Sequence, residues 1–387
     1  MQSVIRKKLI YLMIIFLVCF VIAICLFWLK FGGRGKPFPD LSTKPMLPPN
    51  ALKIVAKLDI PPGNIAVSSK GRIFFNYHPE GNPELKVMEI KNGKPVPYPN
   101  LEMQHERKNK PYFDMVFNLR IDSKDRLWTL DTGFHGLRKP RLMAFDLNTD
   151  KLVYQYDFPV DIAGEGSYIQ DMQIDPQSKH IYIADIGVFS GKPAIISFDT
   201  TTRKARRLLE RDTSVIAESY EINAKGHKMY PLFGLYWMHP AIDPIGLDKK
   251  GEWLYFGPMS GSKLYRIKTA VLNNTDLSSK ELSQKVEFYS KKPQCDGISL
   301  DKENNIYLTS IEDGAISVIT KDKKLKTLVK SPIMRWPDGL SFGKNSELYI
   351  TDSDIPDVIM QPATHIMKSK PFYIFKVNAL AYGVAGQ

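Results

Sequence analysis

Asp131, Thr132 and Gly133 stand in the order found around the catalytic carboxylate of proteases that work with two aspartates. That chemistry needs a second Asp near enough to share a proton with the first, since two adjacent carboxyls cannot both ionise. No second D-[ST]-G tripeptide occurs in the 387 residues. H-E-x-x-H and a phosphate-binding glycine loop are missing too, and GPMSGS at 257–262 has the spacing of a turn. The seven histidines are dispersed; His135 and His239 fall in loops, where a lone imidazole is either solvated or part of a site. What remains are carboxylates and amides at the edges of short apolar segments. Asn118, Asp243, Asp296 and Asp338, with Gln170 and Asp171, precede such segments, whereas Asp131, Asp185, Ser310 and Asp352 follow them.

Only a repeat sets positions this regularly. Six segments superimpose, beginning at Asn64, Asn118, Asp171, Pro244, Gly297 and Gly339, as in NLRIDSKDRLWTLD and GISLDKENNIYLTS. Each is an alternating strand, a polar turn and a second strand carrying an aliphatic–aromatic pair such as Leu127-Trp128 or Ile306-Tyr307, which is the pattern of a β-hairpin. The starts lie 42 to 73 residues apart, leaving room for two more strands per copy, and stretches such as KPAIISFDTTTRKARRLLE supply them. The expected fold is all-β, a six-bladed β-propeller. In each hairpin the start of the first strand and the end of the second share an edge, so both sets of polar residues converge on one face of the ring.

The two sets have different prospects. Asp131, Asp185 and Asp352 lead into tight turns, where an Asp accepts backbone N–H bonds. Asp131 is then a repeat element and no protease catalyst. Asp243, Asp296 and Asp338 begin innermost strands and crowd the channel mouth. Like charges there raise one another's pKa unless a cation intervenes, and hard oxygen ligands of this kind suit Ca²⁺ or Mg²⁺; turn capping is the competing role. Trp336, just before Pro337 and Asp338, offers either a stacking surface for a flat ligand or a core anchor between blades. The insertion at 212–240, with YPLFGLYWMHP, offers either a lid over the channel or packing against the ring's side.

The flanking chain has another character. Residues 9–29 are 21 uncharged, mostly apolar residues between Arg6-Lys7-Lys8 and Lys30, Arg34 and Lys36, long enough to cross a bilayer as a helix. Their end fits a signal-peptidase site poorly, so an uncleaved signal-anchor is expected. The expected division is 1–30 as membrane anchor or signal segment, 31–50 as a Gly- and Pro-rich linker, and 51–387 as the propeller, placed outside the cytoplasm. Two of the three cysteines lie in the apolar segment, leaving Cys295 alone in the body, so no intradomain disulfide is available. The formal charge is +12, but Lys and Arg are scattered along the chain. A nucleic-acid partner is not expected, and the chain is expected to be a monomer.

RLWTLDTG, PRLMAFDLNTDKLV, SYIQDMQIDP with IYIADIG, CDGISLDKENNIYLTSIEDGAI and WPDGLSF with ELYITDSD closely resemble the major royal jelly protein/Yellow family over about 65–356. The hairpin repeat is shared, more widely, with gluconolactonase/regucalcin propellers. The first resemblance implies a small molecule held at the channel mouth or, as in some Yellow-like members, conversion of dopachrome-type catechol derivatives. The second implies a central divalent metal that polarises a lactone carbonyl, with Asp296 and Asp338 in the acidic positions and Asp243 or Asn118 in place of an Asn. The chain departs from that pattern in blade one, where PPGNIAV offers no Glu. The resulting expectation is a membrane-anchored, extracytoplasmic propeller that binds a small aromatic or cationic molecule at an acidic mouth, through Asn118, Asp243, Asp296, Trp336 and Asp338. The alternatives are a lactone hydrolase using Ca²⁺ or Mg²⁺, a dopachrome-converting isomerase, and a protein–protein platform on the rim.

Overall fold

The computed structural model describes residues 2–387, with side-chain environments from Ile5 onward. Alternating apolar residues and polar turns produce six four-stranded antiparallel sheets among these residues, together with one two-stranded ribbon. The innermost strands are Pro62–Val67, Val116–Ile121, Ile169–Ile174, Ile242–Leu247, Ile298–Leu300 and Pro337–Phe342, each falling where a sequence copy begins. The protein is an all-β six-bladed propeller with an apolar N-terminal helix. The aromatic of each aliphatic–aromatic pair is mostly buried in the core. Trp128 packs with Ile174 and Phe198, and Tyr307 meets Phe342 edge-on at 5.6 Å.

Ring closure depends on a strand that no repeat announces. Lys53–Leu58 pairs with Phe372–Asn378, from Lys53 opposite Lys376 to Leu58 opposite Phe372, and so becomes the outermost strand of blade six. Joining the two ends of the ring by backbone hydrogen bonds leaves no open seam. The end of the channel away from the mouth is closed by residues 383–387. Ile121 N donates to Gly386 O at 3.0 Å, Phe342 N to Gln387 O at 2.9 Å, and the Gln387 amide to Ile121 O at 2.7 Å. Gly386 has φ of +84°, and a Cβ there would lie 2.5 Å from Ile121 Cβ, so glycine is required both by conformation and by space.

The N-terminal helix, α1, spans Gln2–Phe31. Of its side chains from Ile5 onward only Ile24, Phe27 and Phe31 are partly covered, all in its last two turns. Residues 31–50 are laid along the ring: Lys36 pairs with Tyr220, and Met46 and Leu47 hydrogen-bond to Thr327 and Leu328 of blade five.

Candidate functional site at the channel mouth

Five of the six inner strands shift register at their mouth end, between Pro62 and Ile65, Val116 and Asn118, Ile169 and Met172, Ile242 and Ile245, and Pro337 and Leu340. Bulges of this kind re-aim side chains and open backbone donors that need partners. Second-strand side chains provide them. Gly339 N donates to Thr351 Oγ1 at 2.9 Å and Asn64 N to Asn76 Oδ1 at 2.9 Å, and at the unshifted strand Asp296 N and Gly297 N both donate to Thr309 Oγ1 at 3.0 Å. The strands approach closely here: a Cβ on Gly339 would lie 2.7 Å from Asn64 Cα.

Above this collar lies a cavity of about 280 Å³. Gln170, Asp296 and Trp336 reach it from the inner strands and their approaches, and His78, Glu80, His135 and Tyr168 from mouth loops. Leu232, Tyr236, Met238 and Pro240, from the end of the 212–240 insertion, also line it, so this part of the insertion packs at the mouth. Phe27 and Phe31 of α1 complete the wall, with Phe31 edge-on to Phe189 at 6.2 Å and to Tyr236 at 6.4 Å. The mouth is thus mainly apolar and aromatic, and its acids lie at the floor. Trp336 is the core anchor: it is fully buried against Met259, Ile311 and Ile355, it borders the cavity, and its Nε1 donates to Asp296 Oδ2 at 2.8 Å.

Asn118, Asp171, Asp243 and Asp338 do not line the cavity; they lie one layer deeper and are fully buried. Asp171 Oδ1 accepts from Asn118 Nδ2 at 2.6 Å and from Asn64 Nδ2 at 3.2 Å. Arg120 donates through Nη1 to Asn64 Oδ1 at 2.7 Å, while its Nε and Nη2, and both oxygens of Asp243, find no partner among the described residues. Burial pushes the Asp171 carboxyl up to about 6 against the pull of Arg120 and Asn118. Burial also pushes Asp296 up to about 7, with the Trp336 N–H opposing it. Asp243 and Asp338 are driven well above the ordinary carboxylate range, first by burial and then by Asp296. Desolvation holds the His78 imidazole down at about 3 and His135 at about 4, leaving both neutral near pH 7. His78 Nε2, 3.8 Å from Asp338 Oδ2, is therefore no ion-pair partner for it.

A divalent cation needs several oxygens converging on one point. Among the described residues no three His, Cys, Asp or Glu side chains do so. Asp171 is engaged by amides, Asp296 by Trp336, and Gly63 occupies the blade-one position matching Asp296 and Asp338. No cation-binding group of acids is assembled among the described residues, although Asn118 Oδ1, Asp171 Oδ2, both oxygens of Asp243 and Asp338 Oδ2 are buried without a partner.

A profile of the Major royal jelly protein family matches residues 115–374, from the start of blade two into the last strand of blade six. The chain belongs to the major royal jelly protein family. Major royal jelly protein 6 of Apis mellifera is 29% identical over 165 residues, 39% of this chain and 35% of that protein. Major royal jelly protein 9 of Apis mellifera is 23% identical over 250 residues, 62% of this chain and 56% of that protein. The matches thus span between about a third and a little over half of these relatives' length. Among solved structures, the calcium-binding protein regucalcin of Agrobacterium tumefaciens superposes with a TM-score of 0.57 at 14% identity, covering 89% of this chain and 98% of that one. A gluconolactonase of Xanthomonas campestris gives 0.52 at 10%, covering 84% and 88%. At such identities the likeness is one of fold.

In this royal jelly family member the carboxylates after the second strands are structural. Asp131 accepts from the backbone N–H groups of Asp114, Met115 and Gly133 at 2.7 to 3.0 Å. Asp185 and Asp352 do the same for Tyr168 and Gly187 and for Arg335 and Trp336, with Arg207 and Arg335 as counter-charges. Asp131→Ala, which leaves one buried and two partly buried backbone donors unpaired, is expected to cost about 3 kcal/mol, and Asp131→Asn distinctly less. Equilibrium denaturation of the two variants checks this, and equal stability of Ala and wild type would refute it. His239 stacks on Trp237 at 3.9 Å and stays out of the cavity. The spacing G-x-S-x-G does occur at 339–343, but Ser341 is buried in mid-strand and its Oγ accepts from Val67 N at 3.1 Å, so no nucleophile elbow forms.

Sequence reading passed over Arg120, His78, Glu80 and Tyr168. Arg120 had a visible signal: the equivalent position in the other copies holds Ala66, Gln173, Gly246, Ser299 and Ser341. A long cation among small or neutral residues on an inner strand marks something to be neutralised. The other three come from loops outside the repeat. Glu80 reaches the cavity from blade one and accepts from Tyr168 OH at 3.1 Å, so that blade supplies a Glu from a loop although its strand has none.

Proposed function

We propose that this protein is a single-pass, membrane-anchored, extracytoplasmic propeller that binds a small aromatic molecule at the channel mouth, acting as a monomer. The observation that carries the reading is the cavity itself: about 280 Å³ on the ring axis, walled by aromatics, with a few convergent polar groups and a plugged far end. Aromatic walls favour a flat ligand, while Gln170, Tyr168, Glu80 and Asp296 fix its polar edge. With purified full-length protein in detergent, aromatic amines and catechols are the probes. One that binds should raise the melting temperature by mass action, roughly 2.7 kcal/mol of stabilisation at 100 times its Kd. Val188→Trp, which fills the cavity from a partly buried position, should remove that rise while keeping the fold. Probes that bind the variant as well as the wild type would place the ligand elsewhere.

A second reading, a proton-transferring isomerase acting on dopachrome-type compounds, is favoured by Asp296, whose carboxyl faces the cavity with a pKa near 7. It expects turnover of a dopachrome-type substrate that falls at least 100-fold in Asp296→Asn.

The anchor carries its own expectation. Full-length protein should sediment with membranes, resist carbonate extraction and retain an N-terminal tag. A shortened, soluble product would show cleavage instead.

A further inference from the structure

The helix α1 does not hang from the propeller on a free tether. Trp237 N donates to Phe31 O at 2.9 Å, Lys30 Nζ donates to Phe189 O at 3.2 Å, and Phe27 and Phe31 are themselves walls of the cavity. The covered residues Ile24, Phe27 and Phe31 lie in the last two turns, so the rest of the helix projects away from the mouth face. Depth follows from arithmetic. The uncharged stretch ends at Leu29, and Ile24 lies about 8 Å back along the axis at 1.5 Å per residue. The mouth loops that line the cavity together with Phe27 are therefore at the level where acyl chains meet headgroups, if residues 9–29 fill the hydrocarbon core.

The loop tips on that face suit such a place. Phe134, Leu137, Phe189, Leu232, Phe233 and Met360 are exposed around the mouth, and three of them also line the cavity. Leu232 and Phe233 project their side chains from positive φ, 53° and 58°, a conformation costly for bulky residues and unexplained by any contact of the Phe233 side chain, which is fully exposed. Exposed apolar residues also occur elsewhere on the ring, among them Val153, Phe288, Leu380 and Tyr382. Lys30 and Arg34, both exposed, follow the apolar stretch where headgroups would lie.

We infer that the mouth face of the propeller is seated in the surface of the bilayer, so that the cavity opens onto lipid and takes its ligand from the membrane phase. This rests on α1 being a membrane span. The chemical class that fits is an amphiphile, with an apolar or aromatic body that partitions into lipid and a hydrogen-bonding head for Gln170, Glu80 and Asp296.

The test uses full-length protein with Cys19 and Cys25 replaced by Ala, so that only the buried Cys295 remains, in nanodiscs containing nitroxide-labelled phosphatidylcholine. An environment-sensitive fluorophore is attached in turn through Phe16→Cys in α1, Phe233→Cys and Leu137→Cys on the rim, and Tyr382→Cys towards the plugged end. The expected result is strong quenching by labelled lipid and weak quenching by aqueous iodide at 16, 233 and 137, with the reverse at 382. Quenching by lipid at 16 alone would overturn the seating while leaving the span intact. Lipid quenching at none of the four would overturn the span and the seating together.

Discussion

Arg120→Met should destabilise the protein by about 3–5 kcal/mol at pH 7.5, the range for leaving a buried charge uncompensated, although Arg120 and Asp171 are linked through Asn64 and not by a direct ion pair. Arg120 is fully buried beneath the cavity, and its guanidinium is the positive charge that pulls the Asp171 carboxyl down against the push of burial. Without it, Asp171 must either stay charged in a low-dielectric site or take up a proton. For a ring of this size the loss corresponds to a fall in melting temperature of roughly 6 °C, from an unfolding entropy of about 2.1 cal/mol/K per residue. The loss should shrink at pH 5, where the carboxyl is protonated in any case. Asp171→Asn, added to Arg120→Met, should recover much of it, because the amide leaves no charge to compensate. A single variant that melts with the wild type, or a double variant no better than the single, would show that the guanidinium and the carboxyl are energetically independent.

Raising the pH from 5 to 8 should lower the wild-type melting temperature by several degrees. The carboxyls of Asp171, Asp243, Asp296 and Asp338 all have folded pKa values above their unfolded ones. Between the two values the native state holds more protons than the unfolded chain, so stability declines as pH rises through the folded pKa, about 6 for Asp171 and about 7 for Asp296. His78 and His135 act in the opposite sense. Their folded pKa values, about 3 and about 4, lie below the unfolded value, so they cost stability as pH falls below about 6.5. With Glu312 and Asp354 also pushed by burial up to about 7, the raised carboxyls outweigh the three depressed imidazoles, His78, His135 and His239, between pH 5 and 8. Asp243→Asn combined with Asp338→Asn should flatten the decline and melt above the wild type at pH 8, because two buried like charges are gone. A flat wild-type profile, or a melting temperature at pH 8 that climbs with millimolar Ca²⁺ and loses that climb in the double variant, would restore the cation site in place of proton sharing.

Both predictions concern groups whose chemistry is set by depth, and here the contribution of sequence ends. The hairpin pattern, the blade count and the backbone-capping role of Asp131, Asp185 and Asp352 follow from residues within one copy, because strand period and turn chemistry are local. The apolar stretch at 9–29 is legible in the same way, through length and absence of charge. Asp296 and Trp336 could be placed near the axis from the repeat alone, but not their hydrogen bond, since a donor 40 residues away meets its acceptor only when neighbouring blades are in register. Closure by Lys53–Leu58, the packing of the end of the 212–240 insertion at the mouth and the seat of α1 there likewise depend on contacts between distant parts of the chain. The acidity expected of the mouth was altered by the same cause. Asp243 and Asp338 lie beneath the apolar cavity, and desolvation, which no local pattern encodes, drives both carboxyls well above the ordinary range.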